Sequence, residues 1–142
     1  METKLIHRPG LHSDADVIVY FPSERVVDMG DLLLAESIPA LDDVGGYLAF
    51  LEDVLDVFPE DVTFVSGHGR DLSAAGVRGY RDSLTAMVEI VSSGLAAGRT
   101  PEQMVKDDVL KSYKPQYSLL TFLPVDSLIP RVATGLQKGT IK

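Results

Sequence analysis

The sequence predicts an α/β fold in one domain, and three observations carry that prediction. Its 142 residues are the length of a single domain. Short β-branched and aromatic runs at 16–21 and 62–65 alternate with longer stretches, 48–58 and 77–95, in which apolar residues recur at helical spacing. Hydrophobic residues make up 45% of the chain and the mean hydropathy is +0.11, enough apolar surface to form a core.

Each element can be justified in order. Residues 16–21 read Asp-Val-Ile-Val-Tyr-Phe, stop at Pro22-Ser23-Glu24 and resume over 25–30, the pattern of two strands joined by a tight turn. After a loop around Pro39, the residues Leu48, Leu51, Val54, Leu55 and Phe58 mark one face of a helix that ends at Pro59, with Glu52, Asp53 and Asp56 on its solvated side. Asp42 and Asp43 precede it as N-terminal charge suited to the helix dipole. Residues 62–65 form a short strand that Ser66-Gly67-His68-Gly69 breaks, leaving a histidine at a strand end. From Ser73, the stripe Val77, Tyr80, Leu84, Met87, Val88, Val91 and Leu95 predicts a long helix with a core-facing side, stopped at Gly98. Thr100-Pro101-Glu102-Gln103 is a complete helix start, with capping hydroxyl, proline at the first turn and glutamine three residues on, and predicts a helix running to about Tyr113. Beyond Lys114-Pro115, residues 118–123 read as strand or loop, and Val125, Leu128, Ile129, Val132 and Leu136 suit a last amphipathic helix.

Composition narrows the function. Thirteen Lys and Arg against 21 Asp and Glu give a net charge of −8, so the surface field disfavours nucleic acid and anionic membranes as partners. No apolar run reaches the length of a membrane helix, and the opening residues lack the apolar segment of a signal peptide, which predicts a cytoplasmic chain. The absence of cysteine removes disulfides, thiolate nucleophiles and cysteine-ligated zinc, so any metal must be held by His, Asp or Glu. The three histidines are His7, His12 and His68. His7 reads as an exposed loop residue. His12 and His68 stand beside carboxylates or glycines at strand ends, so with Asp14, Asp16 and Asp31 they are the candidates for chemistry. Each also has a plain structural reading: His12 as a loop residue before a strand, Asp31 as half of a Gly-Asp turn pair, His68 as the cap of a glycine turn, and Asp14 and Asp16 as solvated strand-end carboxylates.

The stretch from His12 to Pro22 (His-Ser-Asp-Ala-Asp-Val-Ile-Val-Tyr-Phe-Pro), followed by Met29-Gly30-Asp31-Leu32, Gly45-Gly46 and Ser66-Gly67-His68-Gly69, resembles the C-terminal half of a metallo-β-lactamase-fold hydrolase. The resemblance implies that His12 binds one metal, His68 binds a second and Asp31 bridges the two, with Asp14 and Asp16 available to orient His12. Zinc is the metal it implies, although His and Asp ligands suit manganese and iron as well. It covers residues 10–113 and not the tail at 114–142, within a single domain over 1–142. Ala15 departs from the glycine that relatives often carry. The family's His-x-His-x-Asp-His loop occurs nowhere in the chain. A hydrolytic zinc needs about three protein ligands, whereas His12 and His68 would each share Asp31 as a second. A monomer is therefore expected to hold zinc at low occupancy and to be a poor hydrolase.

By the same resemblance, the chain is half of an αββα sandwich, one mixed sheet with helices on one face and the other face left to be covered. Residues 17–21 are apolar on both sides of the strand, which fits a strand buried on both faces. A second copy of the chain, an N-terminal half on another polypeptide, or the chain's own tail could provide the cover, and a homodimer is the simplest. Two classes of function follow: a metal-dependent hydrolase of an ester, thioester, lactone or amide, completed through another chain and using zinc-activated water, or a non-catalytic, truncated half domain that acts as an oligomerisation or partner-binding module. Without the resemblance, the chain reads as an acidic α/β binding module.

Overall fold

The computed structural model describes residues 1–40 and 42–141. Five strands form one mixed sheet in chain order: β1 (Lys4–His7), β2 (Val17–Phe21), β3 (Val26–Asp28), β4 (Thr63–Val65) and β5 (Leu72–Ser73). β1, β2 and β3 are successively antiparallel, β4 runs parallel to β3, and β5 returns antiparallel to β4. The predicted hairpin is β2–β3, with Arg25 in the left-handed region (φ 56°) at its turn. β1 was not anticipated. Its four residues, Lys-Leu-Ile-His, hold too little alternation to stand alone as a strand signal, and pairing along β2 is what defines it.

The register sorts the sheet into two faces. Ile6, Ile18, Tyr20, Val27, Phe64 and Leu72 share one face, with Ile18, Val27 and Phe64 almost wholly buried. Helix α1 (Val44–Val57) connects β3 to β4, helix α2 (Ala74–Ala96) follows β5, and both belong to the same core. Phe58, at the end of α1, sets its ring edge-on to Tyr20 and to Phe64, with centroids 5.1 and 6.1 Å away. The opposite face carries Leu5, Val17, Val19, Phe21, Val26 and Val65; Leu5 and Val17 are exposed and the others half-buried.

Side-chain caps open three of the helices, and the one at Thr100 is the cap expected from sequence. Asp43 accepts the Gly46 N–H at 2.8 Å to open α1, and Ser73 accepts the Gly76 N–H at 3.1 Å to open α2. Thr100 and Gln103 close a reciprocal capping box on α3 (Pro101–Lys106). That helix stops seven residues short of Tyr113: Asp108 turns left-handed (φ 53°), the Val109 N–H returns to the Met104 carbonyl, and the break brings Leu110 into the core. Residues 118–123 are loop, joined to the body by bonds from the Leu119 N–H to the Glu36 carbonyl and from the Leu120 N–H to the Ser37 hydroxyl.

The tail ends in the expected helix, α4 (Leu128–Lys138), which packs on α1, α2 and α3. It adds to the helical layer and not to the open face of the sheet, so self-cover by the tail is removed from the three possibilities. Among the described residues, no helix is long and apolar enough to cross a membrane.

Candidate metal centre

Three loops meet at one edge of the sheet. The first joins β1 to β2. Gly10 turns it with φ 81°, the Arg8 N–H bonds the Asp16 carbonyl at 3.0 Å, and one oxygen of the Asp16 carboxylate accepts the Ser13 N–H. The other oxygen lies 3.4 Å from His12 Nδ1. Asp16 thus fixes both the loop and the ring, turning His12 Nε2 towards Asp31. Of the two acidic neighbours weighed from sequence, Asp16 is the one that meets His12. Asp14 instead offers its backbone carbonyl to His7 Nε2 at 2.7 Å, which makes His7 a tether at the end of β1 and not a free loop residue.

The second loop follows β3. Gly30 adopts φ 49° and begins a single 3₁₀ turn that presents Asp31, while the Asp28 carboxylate accepts the Gly30 N–H at 3.0 Å. The third follows β4. The Gly67 N–H reaches the Gly30 and Leu33 carbonyls at 2.8 and 3.0 Å, and His68 forms an isolated parallel bridge with Leu34. The buried Ser66 hydroxyl accepts the Ala35 N–H at 3.1 Å and lies 2.8 Å from the Leu33 carbonyl. Sequence reasoning passed over Ser66 and the closeness of Gly67 to Gly30, because neither shows in a one-dimensional spacing.

The result brings together the three residues predicted as ligands. His12 Nε2 is 3.9 Å from Asp31 Oδ2, and His68 Nε2 is 3.4 Å from Asp31 Oδ1. Each imidazole faces a different carboxylate oxygen, and both separations exceed an ordinary charge-assisted hydrogen bond. The side chains are open to solvent, with 29% of His12, 42% of Asp31 and 50% of His68 exposed. Beside His12 lies a cavity of about 290 Å³ bordered by Gly10, Leu11, Asp42 and Asp43.

The donor types suit zinc. Two ligands of one tetrahedral ion, each at about 2.0–2.1 Å, stand about 3.3 Å apart, close to the His68–Asp31 separation. The donor number does not suit it. Each position has one imidazole and one shared carboxylate oxygen, and among the described residues no group of three or more His, Asp or Glu side chains could hold a metal ion.

No family model and no curated protein matches the sequence. The fold does match solved structures. A double mutant of the sec-alkyl sulfatase PisA1 superposes with a TM-score of 0.54 at 15% identity, over 69% of this chain and 18% of that one. The stereoselective inverting sec-alkylsulfatase Pisa1 from Pseudomonas sp. aligns at 0.49 and 16% identity, over 65% and 17%. The sulfatase has a metallo-β-lactamase-fold domain. This chain has a partial metallo-β-lactamase-like fold. The likeness speaks to architecture, and the chain spans less than a fifth of the sulfatase's length. Within a metallo-β-lactamase-like fold, the loops after β3 and β4 and before β2 lie at one sheet edge, so residues far apart in sequence become neighbours there.

Proposed function

We propose that the chain contributes half of a hydrolase site of the metallo-β-lactamase type, in which His12 and His68 are ligands of separate metals and Asp31 is shared. The observation that carries this reading is the placement of Asp31 between two imidazoles, one facing each carboxylate oxygen. A carboxylate so placed is suited to bridging. Zinc fits the donor types, and the ligands beyond these three come from a second polypeptide layer on the open sheet face. A second copy of the chain is the simplest such layer, since closed two-fold interfaces are the commonest. The exposed Leu5 and Val17 and their half-buried neighbours support a covered face, because leaving them in water forgoes burial energy. An ester, thioester, lactone or amide is the substrate class proposed. The chain's own residues orient the site: Asp16 holds His12 by Nδ1, and the Gly67 hydrogen bonds hold His68 beside Asp31.

Native mass spectrometry with and without added zinc tests the reading. A dimer that retains stoichiometric zinc, and loses it in Asp31→Asn, is the expected result. A metal-free monomer whose unfolding midpoint is unchanged by zinc would overturn it. That outcome would leave the second reading, a non-catalytic half domain that binds a partner through the open face, which the incomplete ligand count favours.

A further inference from the structure

His12 and His68 face the two oxygens of Asp31, but a further side chain holds only one of the two rings. Asp16 stands at His12 Nδ1. Among the described residues His68 has no such partner: its ring makes no polar contact except with Asp31, and half of its side chain is exposed. What aims it at Asp31 is the backbone that carries it, which fixes the direction of the Cα–Cβ bond and the rotamers open to the ring.

That backbone is held by the Ser66 hydroxyl. Ser66 is buried, and its Oγ stands where three backbone groups converge: the Ala35 N–H at 3.1 Å, the Leu33 carbonyl at 2.8 Å and the His68 carbonyl at 2.6 Å. A hydroxyl offers two acceptor sites but has a single proton to give. The Leu33 carbonyl already takes the Gly67 N–H at 3.0 Å, and the His68 carbonyl is the nearer acceptor, so the proton goes to His68. One side chain thereby ties the peptide plane after His68 to residues 33–35. Beyond that plane Gly69 takes φ 100°, and the Glu36 carboxylate accepts the Arg70 N–H at 2.9 Å. The loop is thus held before and after the histidine by the segment 33–36.

We infer that Ser66 is the positioning residue of His68: its hydroxyl, accepting from Ala35 and donating to the His68 carbonyl, aims the imidazole at Asp31 as Asp16 aims that of His12. Asp16 acts on the ring itself, and Ser66 acts through the backbone. The consequence for metal binding rests on the reading of His68 as a ligand; the aim of the ring in the metal-free chain does not. Removing the hydroxyl should loosen His68 and leave His12 in place.

NMR of the metal-free full chain tests the positioning. In Ser66→Ala the His68 carbonyl carbon resonance should move upfield as its hydrogen bond is lost, and the nuclear Overhauser contact between the His68 ring and Asp31 should weaken, while that between the His12 ring and Asp16 stays. Ser66→Thr keeps the hydroxyl and should keep both His68 signals. Val132→Ala truncates a fully buried side chain of α4, destabilises the fold without touching the hydroxyl, and should leave both signals unchanged, which separates positioning from general loosening. Zinc titration of the assembled protein reads the consequence: affinity should fall about tenfold or more in Ser66→Ala, as for other groups that orient metal-bound histidines, and recover in Ser66→Thr. If the wild type takes up no zinc, the metal reading falls, and the proposal stands or falls on the NMR signals alone. His68 signals that Ser66→Ala leaves unchanged, or that Val132→Ala disturbs equally, would overturn it.

Discussion

A β-carbon built on Gly67 falls 2.4 Å from Asp31 Oδ1. It also falls 2.6 Å from the Gly30 carbonyl carbon and oxygen, so moving the carboxylate aside would not relieve the contact. Glycine at 67 is what lets the loop after β4 nest against the turn after β3. Gly67→Ala should therefore cost about 1–3 kcal/mol, the usual range for overpacking. Urea unfolding checks it: the midpoint should fall with the slope unchanged. A loss within about 0.5 kcal/mol, as at an ordinary surface site, would show that the loops part easily.

Asp16 performs two tasks that substitution can separate. One oxygen accepts the Ser13 N–H and closes the loop, while the other stands beside His12 Nδ1. Asp16→Asn retains an oxygen for Ser13, so stability should change little. It removes the charge that orients the imidazole, and zinc affinity of the assembled form should fall about 10–100-fold, as for other partners of metal-bound histidines. Asp16→Ala should add a stability loss of about 1 kcal/mol. Calorimetric zinc titration beside thermal unfolding distinguishes the two effects. Equal zinc affinity in all three proteins would remove Asp16 from the site.

Phe21 lies on the open sheet face with Val19 and Val26. If a second copy covers that face, Phe21→Lys places a charge against an apolar layer without touching the core side of the sheet. At a cost of about 2 kcal/mol, the threshold of an interface hot spot, dimer dissociation should rise about thirtyfold. Sedimentation equilibrium reads it directly. Wild-type protein that sediments as a monomer at all concentrations would remove the second copy as the cover.

Much of this arrangement was legible in the sequence because it rests on local rules. The capping box at Thr100 acts within three residues of itself, so its role appears in the order of the letters. His12, Asp31 and His68 were found through the resemblance, and the sheet then placed them side by side. The misses are tertiary. β1 exists because β2 pairs with it, and α3 ends early because Leu110 is drawn into the core. The tail's position on the helical layer depends on contacts of α4 with three other helices, which no periodicity reveals. Tyr117 meets Tyr80 of α2 edge-on, with ring centroids 5.9 Å apart, a contact between parts more than thirty residues apart in the chain.

The buried tyrosines set the alkaline limit of the fold. Tyr47 is 1% exposed and donates to the Leu32 carbonyl at 2.8 Å, and burial raises its pKa well above the ordinary value, with a smaller opposing effect from Tyr80. Burial raises Tyr80 as well. In the unfolded chain both ionise near pH 10. Above that pH the unfolded state has lost protons that the folded state still holds, so stability falls as pH rises from about 10 towards the folded-state values. Lys114, raised by its hydrogen bonds to Asp108 and Asp126, has the same sign, so the wild type alone cannot apportion the loss. The difference between wild type and Tyr47→Phe can. At neutral pH the variant should be less stable by about 1 kcal/mol, since the Leu32 carbonyl loses its donor. Above about pH 10 that gap should close by up to about 1.4 kcal/mol per pH unit, because phenylalanine has no proton to lose. Guanidinium unfolding of both proteins between about pH 8 and 11 measures it, and a gap that stays constant throughout would mean that Tyr47 ionises alike in the folded and unfolded chains.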